Sequence, residues 1–459
     1  MEDQGPKRLP LAAAIENRSE SVEKDSRLLN GFIEQTQEKE LWVYKRPGMV
    51  QYSGVTAGTG RGLYNWSGNV YSIVGGTVYK DGVAVSGSVD TTNGTYTFSA
   101  CLGATPKLFM QNGVKAYTYD SSGGLVNVSD VDYPTTTCKG SGYLDGTTYV
   151  MTSTANVYGS GINDPTSWTA SNMLVAQIEP DGGVALSKQL VYIIALKQWS
   201  TEVFYDAGNA SGSPLAQVQG AKANFGCRHQ DTVREIDGSL YWVSQTRSGS
   251  VSVVVMDGLK ITAVSTPPID RLLQQSAFST VYSWTTKIAG HKFYVLTLVD
   301  LNLTLVFDIT SKRWYQWTDA NGNYLPIVAA TFSPAQQPLV QHASNGKVYT
   351  LSMGTYLDDG GDIVWDLYTP NFDGGVKLRK ILFGMDFVAD QTPGSVLQVR
   401  CSDDDYTTWS NFRKVDLGQK YPRLTNCGTF RRRAYHFRHV CNTALRIKAV
   451  DLHLDIGTL

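Results

Sequence analysis

A short pattern of polar turn residues and alternating apolar positions recurs along most of the chain, from about residue 61 to residue 356. In each copy an Asn, Asp or Ser precedes a glycine, and a strand-like stretch that carries a tyrosine follows. Asn-Gly and Asp-Gly pairs supply the positive φ angles of a type I′ turn, so each copy predicts a β-hairpin. The clearest copies begin at Ser67-Gly68, Asp145-Gly146, Asp237-Gly238 and Asn345-Gly346.

Several copies continue to a second turn and a third strand, as in residues 70–82 and 240–258. Looser copies lead to Tyr117, Tyr192 and Tyr294 and complete a set of seven candidate units. The units start about every 35–55 residues, close to the ~40–50-residue repeat of propeller blades. We therefore expect an all-β fold built on a β-propeller of six or seven blades. A β-sandwich is the alternative, because hairpins alone do not determine whether the sheets close into a ring.

The two ends of the chain differ from this central region. Residues 1–54 are predicted as an N-terminal extended arm with the first strands, with either a short helix over residues 11–24 or no fixed structure there. Residues 55–360 are predicted to form the propeller. Residues 361–459 are predicted to add a C-terminal antiparallel β module with long alternating strands. Inside the propeller, Pro267-Pro268 is predicted as a loop that leads into one short helix, Ile269–Gln275.

Composition restricts the function classes. Charged residues make up 18% and the formal net charge is −1, whereas a protein that binds DNA by charge has a clear excess of Lys and Arg. At most, we expect transient, non-specific contact with double-stranded DNA. No apolar run has transmembrane length and the N-terminus lacks a signal-peptide core, which predicts synthesis in the cytoplasm. The six cysteines form no CxxC pair and histidine is scarce, so neither a metal site nor a cofactor is expected.

One stretch of the C-terminal module resembles the Asp box, S-x-D-x-G-x-T-W. Ser402, Asp404, Thr408 and Trp409 occupy motif positions, and Tyr406 stands where the motif has glycine. In that motif the aspartate accepts hydrogen bonds from its own turn and the tryptophan packs beneath it. The expected role is therefore to organise a turn. An ordinary aspartate-rich turn is the alternative.

The one basic cluster comprises Arg431, Arg432, Arg433 and Arg438. If these residues lie on one strand, Arg431 and Arg433 project from the same face. Such arginines can contact phosphates of DNA in a channel, pair with carboxylates of a neighbouring subunit, or lie in solvent beside local acids. On the residues alone these alternatives stay open.

Two stretches resemble the packaged-DNA stabilisation, or tail-nozzle, family of short-tailed bacteriophages. The first runs from Asp25 to Glu34 and continues in Lys45-Arg46-Pro47-Gly48. The second runs from Ser402 to Asn411, with Tyr406 departing from the pattern, and continues from Gly428 into the arginine cluster and residues 444–456. The resemblance implies a hexameric β-propeller ring that lies below the portal and adaptor, retains the packaged DNA and opens for its ejection.

The resemblance further implies a virion protein of the phage tail with no enzymatic activity. Its implied partners are the adaptor and the tail fibre, spike or needle proteins. The alternative is a carbohydrate- or receptor-binding propeller, or a sialidase-like one, from a phage tail. A sialidase needs several Asp boxes and paired acids inside the propeller, which the sequence does not show. A sugar-binding propeller could use Trp314 and Trp317 for stacking, although core packing is the expectation for both.

Overall fold

Strands dominate the structure, a computed structural model that describes residues 6–11, 15, 26–53 and 57–457. Within these residues, seven four-stranded antiparallel units, blades 1 to 7, follow one another along the chain. Blades 1 to 5 are separate sheets of four consecutive strands each. Their bounds are Gly60–Trp66, Asn69–Val74, Thr77–Lys80 and Val83–Ala84 in blade 1; Thr97–Cys101, Lys107–Gln111, Ala116–Asp120 and Gly124–Asn127 in blade 2; Gly142–Leu144, Thr147–Met151, Asn156–Gly161 and Asp164–Val175 in blade 3; Gly183–Gln189, Tyr192–Lys197, Thr201–Asp206 and Leu215–Gln217 in blade 4; and Arg234–Ile236, Ser239–Gln245, Val251–Asp257 and Lys260–Ala263 in blade 5.

Blades 6 and 7 belong to larger sheets. Blade 6 consists of Val281–Ile288, His291–Leu298, Leu303–Asp308 and Arg313–Gln316. Blade 7 consists of Ile327–Phe332, Pro338–His342, Val348–Ser352 and, as its outer strand, Gly48–Ser53 from the N-terminal side of blade 1; the short strands Leu357–Asp358 and Gly361–Asp362 extend it. A strand that precedes the first blade thus completes the last one, and this pairing fastens the ring.

The turn residues and the strand alternation explain why the sequence folds this way. At Asp237 and Gly238, between the first two strands of blade 5, the φ angles are 51° and 80°, as a type I′ turn requires. Successive side chains of the next strand then point to opposite faces. Trp242 packs on blade 4, whereas Tyr241 and Val243 pack on blade 6. One alternating strand therefore supplies two apolar cores.

Every pair of neighbouring blades in the described chain encloses such a core. The decisive pair is the last blade with the first, whose shared core consists of Leu63, Val70, Leu339 and Val348. The sheets therefore close into a ring. The predicted β-propeller is confirmed, and the sandwich alternative for this region is wrong.

Both chain ends build a β-sandwich on the outside of blade 6. Its first sheet continues blade 6, because Leu29 pairs in parallel with Gln316. The added strands are, in spatial order, Arg27–Leu29, Trp365–Tyr368, Ala434–His439, Val396–Ser402 and Arg413–Asp416. The second sheet contains Lys7–Arg8, Gly31–Gln35, Leu41–Lys45, Lys380–Ala389, Arg423–Thr425, Thr429–Phe430 and Arg446–Ile456. The two sheets share a core that includes Phe32, Leu367, Phe387, Phe437 and Val450.

The N-terminal segment supplies strands to this sandwich as well as to blade 7. The alternative of a helix over residues 11–24 falls almost wholly outside the described residues. The division of the chain into domains at residues 54 and 360 stays a prediction.

The helix predicted after the paired prolines is confirmed, and it includes the prolines, as Pro267–Gln275. Proline suits the first helical turn, where the backbone N–H has no partner within the helix. Ile269, Leu272 and Leu273 share one side of the helix and pack into the core between blades 5 and 6. Two short 3-10 turns, Gln230–Thr232 and Val299–Leu301, complete the regular structure of the described residues.

Candidate functional site

The Asp-box-like stretch forms the turn that follows strand Val396–Ser402. The hydroxyl of Ser402 donates to the Asp404 carboxylate at 2.8 Å, and the hydroxyl and backbone N–H of Thr408 donate to it at 2.6 and 2.9 Å. These hydrogen bonds, that of the Thr408 hydroxyl first, lower the pKa of Asp404 to about 2. The carboxylate therefore organises its own turn.

Tyr406 shows how this turn accommodates a side chain where the motif has glycine. Asp405 and Tyr406 have positive φ angles of 60° and 67°, a conformation that costs a non-glycine residue about 1–2 kcal/mol. The Tyr406 side chain is buried, and its hydroxyl donates to the carbonyl oxygen of Thr369 at 2.7 Å. Its ring also lies 5.9 Å from that of Trp409. These contacts offset the backbone strain.

Arg433 is buried and fully engaged inside the sandwich. Its guanidinium donates two hydrogen bonds to the Asp403 carboxylate, at 2.6 and 2.8 Å, and one to the carbonyl oxygen of Cys427 at 2.7 Å. It also lies 4.6 Å above the Phe430 ring. Burial by itself lowers the pKa of Arg433, but the bonds to Asp403 and the charges of nearby groups together outweigh burial and raise it. This arginine supports the local fold and has no face towards a ligand.

Arg431 and Arg432 lie in a bend, and the strand begins only at Ala434. The expectation that Arg431 and Arg433 project from one face of a strand is therefore wrong: Arg431 is exposed, whereas Arg433 is buried. Arg432 pairs with the half-exposed Asp405 at 3.2 Å, a kind of pair that contributes about 0–1 kcal/mol. The side chain of Arg431 has no hydrogen bond or ion pair with any other described residue.

Arg438 belongs to a second, separate network. It donates to both oxygens of the buried Asp366, at 2.8 and 2.9 Å. Nε2 of His436 lies 2.7 Å from the same carboxylate, and Nε–H of Arg400 donates to Nδ1 of His436 at 2.8 Å. The structure thus separates Arg438 from the other three arginines and groups it with Asp366 and Arg400. Neither Asp366 nor Arg400 was identified from the sequence. The one available signal was the position of Asp366 inside the otherwise apolar run 363–368.

A further charged cluster, not anticipated from the sequence, occupies the propeller axis. Lys139 precedes the inner strand of blade 3, and Asp231 precedes that of blade 5. Lys139 Nζ lies 2.9 Å from both carboxylate oxygens of Asp231, and the hydroxyl of Thr95, from the segment before blade 2, donates to the same carboxylate at 2.6 Å. Burial would raise the pKa of Asp231, but the charges of Lys139 and His229 and the hydrogen bonds from Thr95 and Lys139 together outweigh burial, and the pKa lies below its ordinary value.

Beside this bridge lies a cavity of about 260 Å³, the axial pit, lined by residues on or just before the inner strands of all seven blades. They include Tyr64, Phe98, Ser141, Ser187, Arg234, Trp284 and Ala330. The axial pit is slightly smaller than a typical small-molecule site of about 300–1,000 Å³. A DNA duplex is much larger than the pit, since its major groove alone is about 12 Å wide. The axis of one propeller therefore cannot admit a duplex.

The comparisons with known proteins identify the family. A family model described as bacteriophage P22 Gp10, beta-propeller, matches residues 28–351, from strand Arg27–Leu29 of the sandwich into strand Val348–Ser352 of blade 7. The chain belongs to this family. It is a structural component of a bacteriophage virion, of the DNA-stabilising, tail-nozzle type. The resemblance inferred from the two ends of the sequence is confirmed.

Solved structures similar to this P22 Gp10 family member are distant. One is the extracellular domain of a one-component system from B. thetaiotaomicron, with 10% identity and a TM-score of 0.43; the match covers 86% of this chain but only 58% of that chain. Another is virginiamycin B lyase from Staphylococcus aureus, with 7% identity, a TM-score of 0.42 and coverage of 65% of this chain and 98% of that chain. A third is the WD40 β-propeller domain of Doa1, with 12% identity, a TM-score of 0.38 and coverage of 68% and 97%. No curated protein matches the sequence.

Three further observations bear on the alternatives. Trp314 and Trp317 are 4% and 1% exposed, so neither ring is available to stack on a sugar. Within the described part of the chain, no helix is long and apolar enough to cross a membrane. The same residues contain no group of three or more His, Cys, Asp or Glu placed to hold a metal ion.

Proposed function

We propose that six copies of the chain form the nozzle ring of a short-tailed phage, below the portal and adaptor. The ring retains the packaged DNA and forms the channel for its ejection into the host. Membership of the P22 Gp10 family is the observation that carries this proposal. The net charge of −1 agrees with it, since a strongly basic channel would hold DNA by counterion release and slow its exit.

The DNA channel lies between protomers and not along the axis of a propeller. The axial pit has a volume of only about 260 Å³, and the Lys139–Asp231 bridge crosses the axis beside it. A duplex could pass only if the inner strands separated and broke this buried bridge. A central opening formed by ring assembly needs no such change within a protomer.

The surface around Arg431 is our candidate for contact between neighbouring protomers. Three apolar side chains near this bend are exposed to solvent. Ile381 and Phe383, in strand Lys380–Ala389 of the second sandwich sheet, are 43% and 52% exposed, and Leu378, just before that strand, is 42% exposed. Ile381 pairs with Thr429, two residues before Arg431. Interfaces are enriched in arginine and aromatic side chains. The combination favours a subunit contact over a DNA-lining surface.

Under the same proposal the chain has a structural role, retaining DNA and forming its channel, and catalyses no reaction. Its partners are the adaptor, the tail fibre, spike or needle proteins and, transiently, the DNA backbone. A receptor- or glycan-binding propeller is the second candidate, and burial of Trp314 and Trp317 removes the aromatic surface that favoured it.

Electron cryomicroscopy of the virion tests the proposal. We expect six copies in a ring directly below the adaptor. The ring should enclose a channel between the protomers, which either contains density for DNA or is empty. Copies in the capsid shell, or in distal trimeric spikes, would refute it. A screen of bacterial surface polysaccharides for cleavage tests the inert role, and turnover abolished by one acidic substitution would contradict that part.

A further inference from the structure

The axial pit lies beside the bridge of Lys139, Asp231 and Thr95, all of which precede inner strands. Lys139 is part of both the bridge and the wall of the pit. At the opposite ends of those strands, a wider depression of about 530 Å³ shares wall residues with the pit and adds Tyr143 and Lys188. A ligand can therefore enter the pit through this depression.

Arg234 brings a guanidinium into the pit without a carboxylate partner. Its Nε–H donates to the carbonyl oxygen of Ser283 at 2.8 Å, and Nη1–H donates to that of Val233 at 2.7 Å. Within the described residues, Arg234 forms no ion pair, and its Nη2 donates no hydrogen bond. Burial lowers the pKa of Arg234. The group is thus a partly buried cation with donors still unused.

The charge of Asp231 offsets the burial of this cation only in part, since the pKa of Arg234 stays below its ordinary value. Asp231 is already held by Lys139, through contacts of 2.9 Å to both of its oxygens. Glu235 is exposed at the rim, where its Oε1 accepts a hydrogen bond from the backbone N–H of Gly238 at 2.6 Å. An incompletely compensated charge away from bulk water is costly, so an anion in the pit would be stabilised beside Arg234.

We propose that the axial pit binds a carboxylate, either of a small molecule or of an acidic peptide side chain, through the guanidinium of Arg234. The planar guanidinium matches the geometry of a carboxylate better than an ammonium group does. Tyr64, Phe98 and Trp284 line the pit and supply apolar contact for the few carbon atoms that fit beside the carboxylate. The site lies within one protomer, so the inference does not depend on the hexameric ring.

Isothermal titration calorimetry of the purified full chain tests this proposal. The probes are acetate, glutarate and a blocked tripeptide with a central glutamate, and the matched tripeptide with glutamine is the control ligand. We expect binding of at least one carboxylate probe, and affinity at least ~10-fold lower in Arg234→Gln, because charge-assisted hydrogen bonds are lost. The control variant Arg247→Gln removes an exposed charge elsewhere in blade 5 and should bind as the wild type does.

A second variant tests the proposal even if Arg234→Gln fails to fold. Ser187 lines both the pit and its mouth, so Ser187→Phe narrows the entry without removing the guanidinium, and we expect it to abolish binding. Tighter binding of the glutamate peptide than of the free acids supports a protein partner as the source of the carboxylate, and the reverse order supports a free one. The proposal is overturned by no binding of any carboxylate probe, by unchanged affinity in both variants, or by equal binding of the glutamine peptide.

Discussion

Lys139 and Asp231 meet 2.9 Å apart on the axis of the propeller, although they introduce blades 3 and 5, which are not neighbours. Thr95, which precedes blade 2, donates to the same carboxylate. In a propeller the apolar cores join each blade only to the next one. These polar bonds join non-adjacent blades directly, so they hold the arrangement of inner strands that shapes the axial pit.

Removal of Asp231 should destabilise the protein strongly. Asp231→Ala leaves Lys139 charged and buried, and the breaking of a buried pair costs about 3–5 kcal/mol. Guanidinium denaturation of the purified chain measures this loss. The double variant Lys139→Met with Asp231→Leu should lose less, since no unpaired charge remains. A loss below ~1 kcal/mol in Asp231→Ala would show that the bridge contributes little.

Even a conservative substitution of Arg46 should destabilise the protein. Its guanidinium donates to Asn30 at 2.9 Å, to Asp358 at 2.9 Å and to the carbonyl oxygen of Thr318 at 2.9 Å. Lysine keeps the charge but cannot reach these partners together. We expect Arg46→Lys to lower the free energy of unfolding by about 2–3 kcal/mol, measured by denaturation. Arg247→Lys, at an exposed position, is the matched control and should change it by less than ~0.5 kcal/mol.

Two buried histidines should make the sandwich sensitive to mild acid. Burial first, and then the charge of Lys45, lower the pKa of His439 to about 3. Burial also lowers the pKa of His436, whose Nδ1 accepts a hydrogen bond from Arg400 and so carries no proton. The unfolded chain has a histidine pKa of about 6.5. The contribution of the two neutral rings to the free energy of unfolding is therefore fully present above about pH 6.5. It is lost as the pH falls towards the folded pKa values, because the unfolded state takes up the protons first.

For His439 the expected loss is about 1.4 kcal/mol between pH 7.5 and pH 5.5. Denaturation curves at the two pH values measure it. In His439→Gln the difference between the two pH values should shrink by this amount, whatever the variant's own stability. His453→Gln, at a partly exposed position, serves as the control. An unchanged pH difference in His439→Gln would contradict the assignment of a buried neutral ring.

Local signals in the sequence account for much of the fold, whereas the charged clusters depend on distant residues. The turn at Asp237 and the helix after Pro267 follow from neighbouring residues alone, so both could be predicted. Asp231 lies 92 residues from Lys139, and no periodicity connects the two. The arginine run gave no sign that Arg433 is buried, because its partner Asp403 lies 30 residues earlier, in the turn after another strand. Closure of the ring by Gly48–Ser53 likewise depends on a partner strand far along the chain.

The strongest test of the assembly surface is Arg431→Glu in the phage. Its side chain contacts no other described residue by hydrogen bond or ion pair, so the purified variant should unfold at the wild-type temperature. Charge reversal at a subunit contact disrupts pairing with a neighbouring carboxylate. We therefore expect tailless or leaky particles, scored by electron microscopy and by nuclease sensitivity of the packaged DNA. Arg433→Gln is the matched comparison, because it breaks the bonds to Asp403 and should lower protomer stability instead.

The alternatives for Arg431 give different particles. If it lined the DNA channel, Arg431→Glu would assemble intact tails and change the salt dependence of ejection, since one phosphate contact would be lost. Normal particles with normal ejection would contradict both placements and leave the residue in solvent. The interface remains the expected outcome, because Ile381 and Phe383 expose apolar surface close to this bend in the fold, and such surface is stabilised by burial against a neighbour and not by contact with phosphates.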